Sequence, residues 1–433
     1  MERIGMKKIF SRQLCLLSAV IFLTAPLLLN AAVLRDSNGR VIRRGGKYDP
    51  RPVIITPQQP RRREFRGVWI STVKNLDFPR TASAADFRRC YISMVNKIAA
   101  AGFNAVIFQV RPNADAFYPS SLVPYSRWMT GKEGRSLNFD PLAFMIREAH
   151  ARKLEFHAWL NPYRVENDSK LSKSAYLRQL HPSNFARKNP HLVLDFHNGK
   201  SRSFFFDPGR PEVIRHICLV VQEIVSRYDV DAVHFDDYFY PYDEIGSIDD
   251  ATYRKCNPRR LGKADWRRLN TETLIYNVRR VIDRANSTRR NKVRFGISPF
   301  GIWGNAKDIR GGSATGGKQT YFSLYADTRS WVRKNYLDYI VPQIYWNFAH
   351  ETAAYAALVD WWSMTVRNTR TRLYIGHAPY RLGTPGWGKY ELMNQIYYLR
   401  MHPEVSGSVF FSYRHLFGNK PHPGVQLLFK ALR

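Results

Sequence analysis

The pattern of apolar and polar positions changes at residue 64 and then repeats to the C-terminus. Short segments in which apolar and polar side chains alternate, typical of β-strands, are mostly followed by longer segments that carry the apolar stripe of a helix. Eight strands are predicted, and in chain order they are Arg66–Val73, Ala105–Arg111, Leu154–Asn161, Ala232–Tyr238, Val293–Pro299, Ile340–Trp346, Leu373–His377 and Gly407–Tyr413. This alternation predicts an α/β fold, a single (β/α)₈ barrel of the TIM type with long βα loops over residues 64–433.

Helices are predicted between these strands, and one more helix closes the chain. The predicted helices are Ala85–Ala101, Leu142–Arg152, Pro211–Tyr228, Trp266–Ala285, Leu324–Tyr336, Ala353–Val366, Tyr390–Arg400 and Val425–Leu432. Only that last helix follows the last strand, so one barrel accounts for the whole region.

Polar and aromatic side chains collect near the C-terminal ends of the predicted strands. Alternate residues of a barrel strand face the interior, and the interior-facing set is polar or aromatic on most strands. This set is Trp69, Ser71, Gln109, Arg111, His157, Trp159, Asn161, His234, Asp236, Ser298, Gln343, Tyr345 and Ser412. Barrel enzymes place their sites at this end, so the pattern predicts a functional pocket rather than side chains that only satisfy one another.

Carboxylates at the same end are the candidate catalytic groups. Asp236 and Asp237 end the fourth predicted strand, and Asp115 follows the second. Neighbouring strand residues point in opposite directions, so Asp237 joins Asp236 only if the strand ends there. Glycoside hydrolysis needs two carboxyl groups, about 5–5.5 Å apart for retention and wider apart for inversion. The alternative for each acid is a helix cap or an ion pair with arginine.

Side chains suited to binding sugar rings accompany these acids. Aromatic faces can pack against sugar rings, and polar groups can bond to hydroxyls. The candidate binding residues are Trp69, Gln109, Arg111, His157, Trp159, Asn161, Tyr163, Arg164, His234, Tyr238, Ser298, Gln343, Tyr345 and Trp346. The chain has no CxxC pair and no HExxH motif, so we expect neither a metal nor a cofactor.

The N-terminus has the pattern of an export signal. A basic start, an apolar stretch broken by Pro26 and the small pair Ala31-Ala32 predict a cleaved signal peptide over residues 1–32, with an uncleaved anchor as the alternative. Residues 33–63 are rich in basic residues and proline and are predicted to be a flexible linker. We therefore expect the protein in the periplasm or cell envelope, with no membrane span after cleavage.

The charge is strongly positive, with 67 Lys and Arg against 35 Asp and Glu and a net charge of +32. Such a charge is typical of proteins that bind nucleic acid. Export argues against that partner, so we expect no nucleic acid. A solvated basic surface and attraction to an anionic glycan both stay open.

Six ordered motifs resemble the glycosyl hydrolase-like 10 family. In chain order they are Phe65–Pro79, Gln109–Pro119, His157–Arg164, His234–Pro241, Ser298–Gly301 and Pro342–Trp346. The resemblance covers residues 64–433 and implies an exported barrel that hydrolyses glycosidic bonds, with the acids of the fourth strand as nucleophile candidates. Relatives carry another acid shortly after the last motif. Here Asn347–His350 stands there and Glu351 follows, so the second carboxylate stays unassigned.

The family resemblance also implies a substrate. Members are linked to cleavage of peptidoglycan glycan strands, notably strands stripped of their stem peptides. Two other functions stay open at this point. One is a metal-dependent polysaccharide deacetylase, because paired aspartates after an apolar strand also suit a metal. The other is a barrel that binds glycan without cleaving it.

Overall fold

Eight parallel strands close into a barrel in the computed structural model, which describes residues 31–197, 199, 201–242 and 244–433. The strands in chain order are β1 (Ala32–Val33), β2 (Ile54–Ile55), β3 (Phe65–Ile70), β4 (Ala105–Arg111), β5 (Glu155–Leu160), β6 (Arg164–Ser169), β7 (Val193–His197), β8 (Arg202–Phe206), β9 (Ala232–Phe235), β10 (Arg294–Ile297), β11 (Tyr339–Ile340), β12 (Arg372–His377) and β13 (Val405–Phe410). The barrel order is β3-β4-β5-β9-β10-β11-β12-β13, and β13 pairs with β3. The predicted barrel is confirmed, and all eight predicted strands overlap barrel strands.

Helices surround this barrel. They are α1 (Ala84–Ala100), α2 (Arg127–Thr130), α3 (Pro141–His150), α4 (Lys173–Gln179), α5 (Phe185–Lys188), α6 (Pro211–Arg227), α7 (Asp250–Lys255), α8 (Lys263–Thr288), α9 (Thr320–Ser323), α10 (Thr328–Arg333), α11 (Tyr355–Val366), α12 (Glu391–Arg400), α13 (Tyr413–Phe417) and α14 (Pro423–Leu432), with 3₁₀ turns at Val73–Asn75, Pro190–Leu192 and Pro379–Arg381. Helix α6 is an example of how these helices form and pack. It begins at Pro211, and one of its faces is fully buried, with Val213, Ile217, Val220 and Ile224.

The two faces of the barrel strands build two separate cores. Inward-facing side chains, among them Trp69, Trp159, Tyr339 and Tyr374, fill the barrel interior. The alternate residues of the same strands pack outward against the helices. This division follows from the period of two along each strand. The barrel interior is therefore a packed core.

A three-stranded antiparallel sheet, β6-β8-β7, is inserted in the connection after β5. The sequence predicts this stretch only as a long loop. Phe204 and Phe206 of β8 are fully buried, and the N–H of Phe206 donates to the carbonyl of Tyr163 at 2.8 Å. The two ends of the insert are thus tied together where it leaves the barrel. We call residues 164–206 the insert.

Residues 32–63 pack against the barrel, which differs from the predicted flexible linker. Strands β1 and β2 pair in an antiparallel hairpin, and Val53 and Ile55 are buried in the main core. The Arg61 guanidinium donates to three carbonyls around the end of α12, including that of His402 at 2.9 Å. A few apolar residues at alternate positions are enough to dock this otherwise polar segment.

The predicted signal peptide falls almost wholly on residues 1–30, which lie outside the described residues. Cleavage and export therefore stay predictions. Within the described part of the chain, no helix is both long enough and apolar enough to cross a membrane.

Candidate active site

A cavity of about 340 Å³ opens at the C-terminal ends of the barrel strands. Ten predicted site residues line it: Trp69, Gln109, Trp159, Arg164, Asp236, Asp237, Tyr238, Ser298, Gln343 and Tyr345. Some of these residues lie on the barrel strands, and the others lie on the loops that follow the strands. We call this space the catalytic cavity.

Asp236 and Asp237 both face the catalytic cavity because β9 ends at Phe235. Beyond that residue the chain no longer alternates between the two barrel faces, so neighbouring side chains can point the same way. Each aspartate is only 4% exposed. They are the only carboxylates among the described residues that line this cavity.

Asp236 is held by several hydrogen-bond donors. The indole Nε1 of Trp159 donates to its Oδ2 at 3.0 Å, and Asn161 Nδ2 donates to both oxygens at 3.0 and 3.1 Å. The Tyr238 N–H donates to Oδ1 at 3.3 Å. Burial raises the pKa of Asp236, while the charge of Arg164 and these hydrogen bonds oppose the rise. The donors favour the ionised form.

Asp237 has a different environment. Its Oδ2 accepts a hydrogen bond from the hydroxyl of Tyr242 at 2.6 Å. Burial, followed by the negative charge of Asp236, raises the pKa of Asp237 to about 7, and Tyr242 and Gln343 oppose this rise. Two adjacent buried carboxylates cannot both ionise cheaply, so below about pH 7 the two environments favour the proton on Asp237 and the negative charge on Asp236.

This division of protonation defines what the pair can do. A neutral carboxylic acid can protonate a leaving oxygen, and a carboxylate beside it can stabilise positive charge or attack carbon. Both groups face one solvent-connected space that is wide enough for a ligand. The arrangement fits acid-assisted cleavage of a C–O bond.

A buried polar layer supports the floor of the catalytic cavity. The Trp69 indole can only donate, and it contacts His234 Nε2 at 3.3 Å, so that nitrogen is the acceptor. Ser298 Oγ lies 3.0 Å from the same nitrogen. His234 Nδ1 and His157 Nδ1 both contact the Tyr339 hydroxyl, at 3.1 and 2.9 Å. Burial lowers the pKa of His234 far below its usual value. Both histidines brace the cavity from below.

Four other predicted binding residues lie outside the catalytic cavity lining. Arg111 is buried and braces the carbonyls of Asn161 and Pro162. Asn161 bonds to Asp236, in place of a sugar hydroxyl. Tyr163 lines a neighbouring cavity, and Trp346 packs against the main core near His350. All four residues were predicted from their place at or just after the end of a barrel strand. Their side chains contact other protein groups, and the sequence pattern does not predict those contacts.

Asp115 is not brought to the strand-end pair. It lines a separate space of about 10 Å³ with Glu133, Arg127 and Asn184. Its Oδ1 accepts the Asn113 N–H at 3.2 Å. Burial raises the pKa of Asp115 and also raises that of Glu133, to about 7. This acid therefore belongs to a buried cluster under the loops, and the prediction that it faces the catalytic cavity is wrong.

The sequence pattern did not single out five of the cavity residues, which are Val73, Lys74, Leu76, Tyr242 and Phe411. Tyr242 donates to Asp237, and Phe411 forms part of the wall with Tyr345 and Trp69. Tyr242 lies five positions beyond Asp237 in an aromatic run, which was the available signal. Phe411 directly follows β13, where a strand end points it into the opening. Across the described residues, no group of three or more His, Cys, Asp or Glu side chains is placed to hold a metal ion.

Comparisons with known proteins agree with this architecture. The family model "Glycosyl hydrolase-like 10" matches residues 64–393. Glycosyl hydrolase YngK of Bacillus subtilis strain 168 is 43% identical over 368 residues, which cover 82% of this chain and 69% of that protein. Glycosyl hydrolase DigH of Escherichia coli K12 is 40% identical over 380 residues, which cover 82% and 84%.

One solved structure supports the fold. The PgaB (BpsB) glycoside hydrolase domain of Bordetella bronchiseptica superposes with a TM-score of 0.51 at 14% identity, covering 85% of this chain and 98% of that one. At this identity the likeness concerns the barrel alone. The sequence matches go further, and the chain belongs to the glycosyl hydrolase-like 10 family.

Proposed function

We propose that this protein is a hydrolase that cleaves glycosidic bonds in bacterial envelope glycan, with peptidoglycan glycan strands as the substrate. The observation that carries the proposal is the adjacent pair Asp236 and Asp237, which share one cavity in two different protonation environments. Family membership supports the reaction class, and the predicted export signal supports the envelope as the place of action.

The proposed reaction divides its steps between the two acids. Asp237 donates its proton to the glycosidic oxygen as the bond from that oxygen to the anomeric carbon breaks. Asp236, held ionised by Trp159 and Asn161, stabilises the positive charge at that carbon. Water then adds to the carbon, and its proton returns to Asp237. Trp159 and Asn161 already donate to Asp236 before positive charge develops at the anomeric carbon, so these groups need not rearrange during the reaction.

The walls of the catalytic cavity fit a sugar ring. Trp69, Tyr345 and Phe411 form one aromatic side, with centroid separations of 6.2 Å for Trp69 and Phe411 and 6.3 Å for Tyr345 and Phe411. Lys74 and Gln109 line the cavity too and offer polar groups. Flat apolar faces beside a few polar groups are typical of small-ligand sites.

The test is to change each carboxylate to its amide. We expect Asp237→Asn and Asp236→Asn each to lower cleavage of purified glycan strands by about 10²-fold or more, because positioned acid–base groups contribute on that scale. Asp265→Asn, on the exposed face of α8, is the matched control and should cleave like wild type. Near wild-type rates in both cavity variants, with folding intact, would place the chemistry elsewhere.

A further inference from the structure

A second cavity of about 270 Å³ adjoins the catalytic cavity on the side of the insert. The two cavities share Arg164, Tyr238 and Tyr242 in their walls. The Arg164 guanidinium carbon lies 4.1 Å from the centre of the Tyr238 ring, which stacks on Tyr242 at 4.6 Å. One column of three side chains therefore separates the two spaces, and Tyr242 at its end bonds to Asp237.

We propose that this second cavity, the insert cavity, is a glycan subsite that binds a sugar unit next to the bond being cleaved. The proposal rests on the proposed function and names a further part of its substrate site. A chain that enters the catalytic cavity has to continue beyond it, and the shared wall makes the insert cavity the adjoining space. Its volume lies just below the range of about 300–1,000 Å³ typical of drug-sized ligands, which suits one sugar unit.

The chemistry of the insert cavity fits a sugar unit. Phe196, Phe205 and Tyr240 supply apolar faces on one side. On the other side, Asn167 of β6 and Ser203 of β8 meet across the strands, where Ser203 Oγ donates to Asn167 Oδ1 at 3.0 Å. Among the described residues, the Asn167 Nδ2 group donates to no partner. It is half-buried at the cavity wall and is available to a hydroxyl or acetamido oxygen.

The charged groups at the insert cavity favour a sugar unit that is either uncharged or acidic. Glu166 lines the cavity, but its carboxylate pairs with Arg127 and also accepts the Asn167 N–H at 2.7 Å. Within the described residues, the Arg164 guanidinium donates one hydrogen bond, from Nη1 to the Pro112 carbonyl at 3.3 Å. Its remaining donors stay available at the junction of the two cavities.

The test compares chain lengths. Purified peptidoglycan glycan strands without stem peptides are supplied as disaccharide, tetrasaccharide and longer fragments to wild type and to the double variant Asn167→Ala/Ser203→Ala. We expect kcat/KM for long fragments, relative to the shortest fragment that is cleaved, to fall by about fivefold or more, mainly through KM. The matched control is Asn291→Ala/Ser287→Ala, at exposed positions before β10 at the opposite end of the barrel, which should leave that ratio unchanged.

A binding measurement separates failure of this proposal from failure of the proposed function. Calorimetric titration of the same fragments into the Asp236→Asn protein reports affinity without cleavage. Weaker binding of long fragments when Asn167 and Ser203 are also changed would support the subsite, even if wild type cleaves nothing. Equal affinity with and without those two changes, together with an unchanged kcat/KM ratio in the active protein, would overturn it.

Discussion

The hydrogen bond from Tyr242 to Asp237 helps to set the pH at which the proposed acid loses its proton. A hydroxyl that donates to a carboxylate stabilises the ionised form and so lowers its pKa. Here that effect opposes burial and the charge of Asp236, and the balance leaves the pKa of Asp237 at about 7. The proposed active form has Asp237 protonated and Asp236 ionised.

The pH profile of cleavage follows from this balance. Because the active form loses its proton as the pH rises through about 7, we expect activity to fall on that side. Tyr242→Phe removes a donor to the ionised form, so the pKa of Asp237 rises and the alkaline limb of kcat/KM moves to higher pH. The measurement is the pH dependence of glycan cleavage for both proteins.

The control for this shift is Tyr380→Phe. The Tyr380 ring also lies at the cavity end of the barrel, beside Tyr345 and Phe411, but its hydroxyl makes no hydrogen bond within the described residues. This variant should keep the wild-type limb. If Tyr242→Phe moved the limb to lower pH or not at all, Asp237 would not be the group that titrates there.

Single residues also show how far sequence reasoning reaches. Alternation along a strand places Asp236 towards the barrel interior, and the end of β9 explains why Asp237 joins it. The partner of each side chain is set by loops that meet only in three dimensions. Asn161 therefore turned out to hold Asp236, and Asp115 to lie in another cavity.

Among the elements, the segment before the barrel is fixed by a buried ion pair. Glu64 and Arg400 of α12 join in two hydrogen bonds of 2.8 Å, and both side chains are more than nine-tenths buried. Arg367 and Glu404 form a comparable pair on the surface, where the Arg367 side chain is 60% exposed. The two pairs differ mainly in burial.

This difference predicts unequal effects on stability. Arg400→Met leaves Glu64 buried with only the more distant Arg66 nearby, at 3.8 Å, so we expect the free energy of unfolding to fall by about 3 kcal/mol or more. Arg367→Met should cost less, about 1 kcal/mol, because this pair is the more exposed of the two, with side-chain exposures of 60% for Arg367 and 16% for Glu404. Urea unfolding of the two variants checks this. Equal losses would mean that burial does not decide the strength of these pairs.

Elements with strong periodicity could be predicted, and those without it could not. The barrel strands and long helices have clear periods of two or 3.6. The insert strands are short and mix charged residues with phenylalanines, as in Arg202–Phe206, so their pairing depends on partners far along the chain. The hairpin of β1 and β2 was missed for the same reason, since each strand has only two residues.

For the whole molecule, the proposed mechanism needs no metal. We expect treatment with EDTA followed by dialysis to leave cleavage of glycan strands unchanged at every pH, because both proposed groups are side chains of this chain. The measurement is the rate before and after treatment, with zinc added back. Activity that disappears with EDTA and returns with zinc would favour the deacetylase alternative, which release of acetate would then identify.

The tied ends of the insert have a consequence for how this architecture can change. Because the Phe206 N–H bonds to the Tyr163 carbonyl, residues 164–206 leave and rejoin the barrel at one point. Arg164 has to stay, because it lines the catalytic cavity and packs on Tyr238. Beyond Arg164, we expect that the insert can be shortened, lengthened or replaced while Asp236 and Asp237, which follow a different strand, keep their places. If the insert cavity binds a further sugar unit, the preference for chain length can change through the insert while the residues that cleave the bond stay the same.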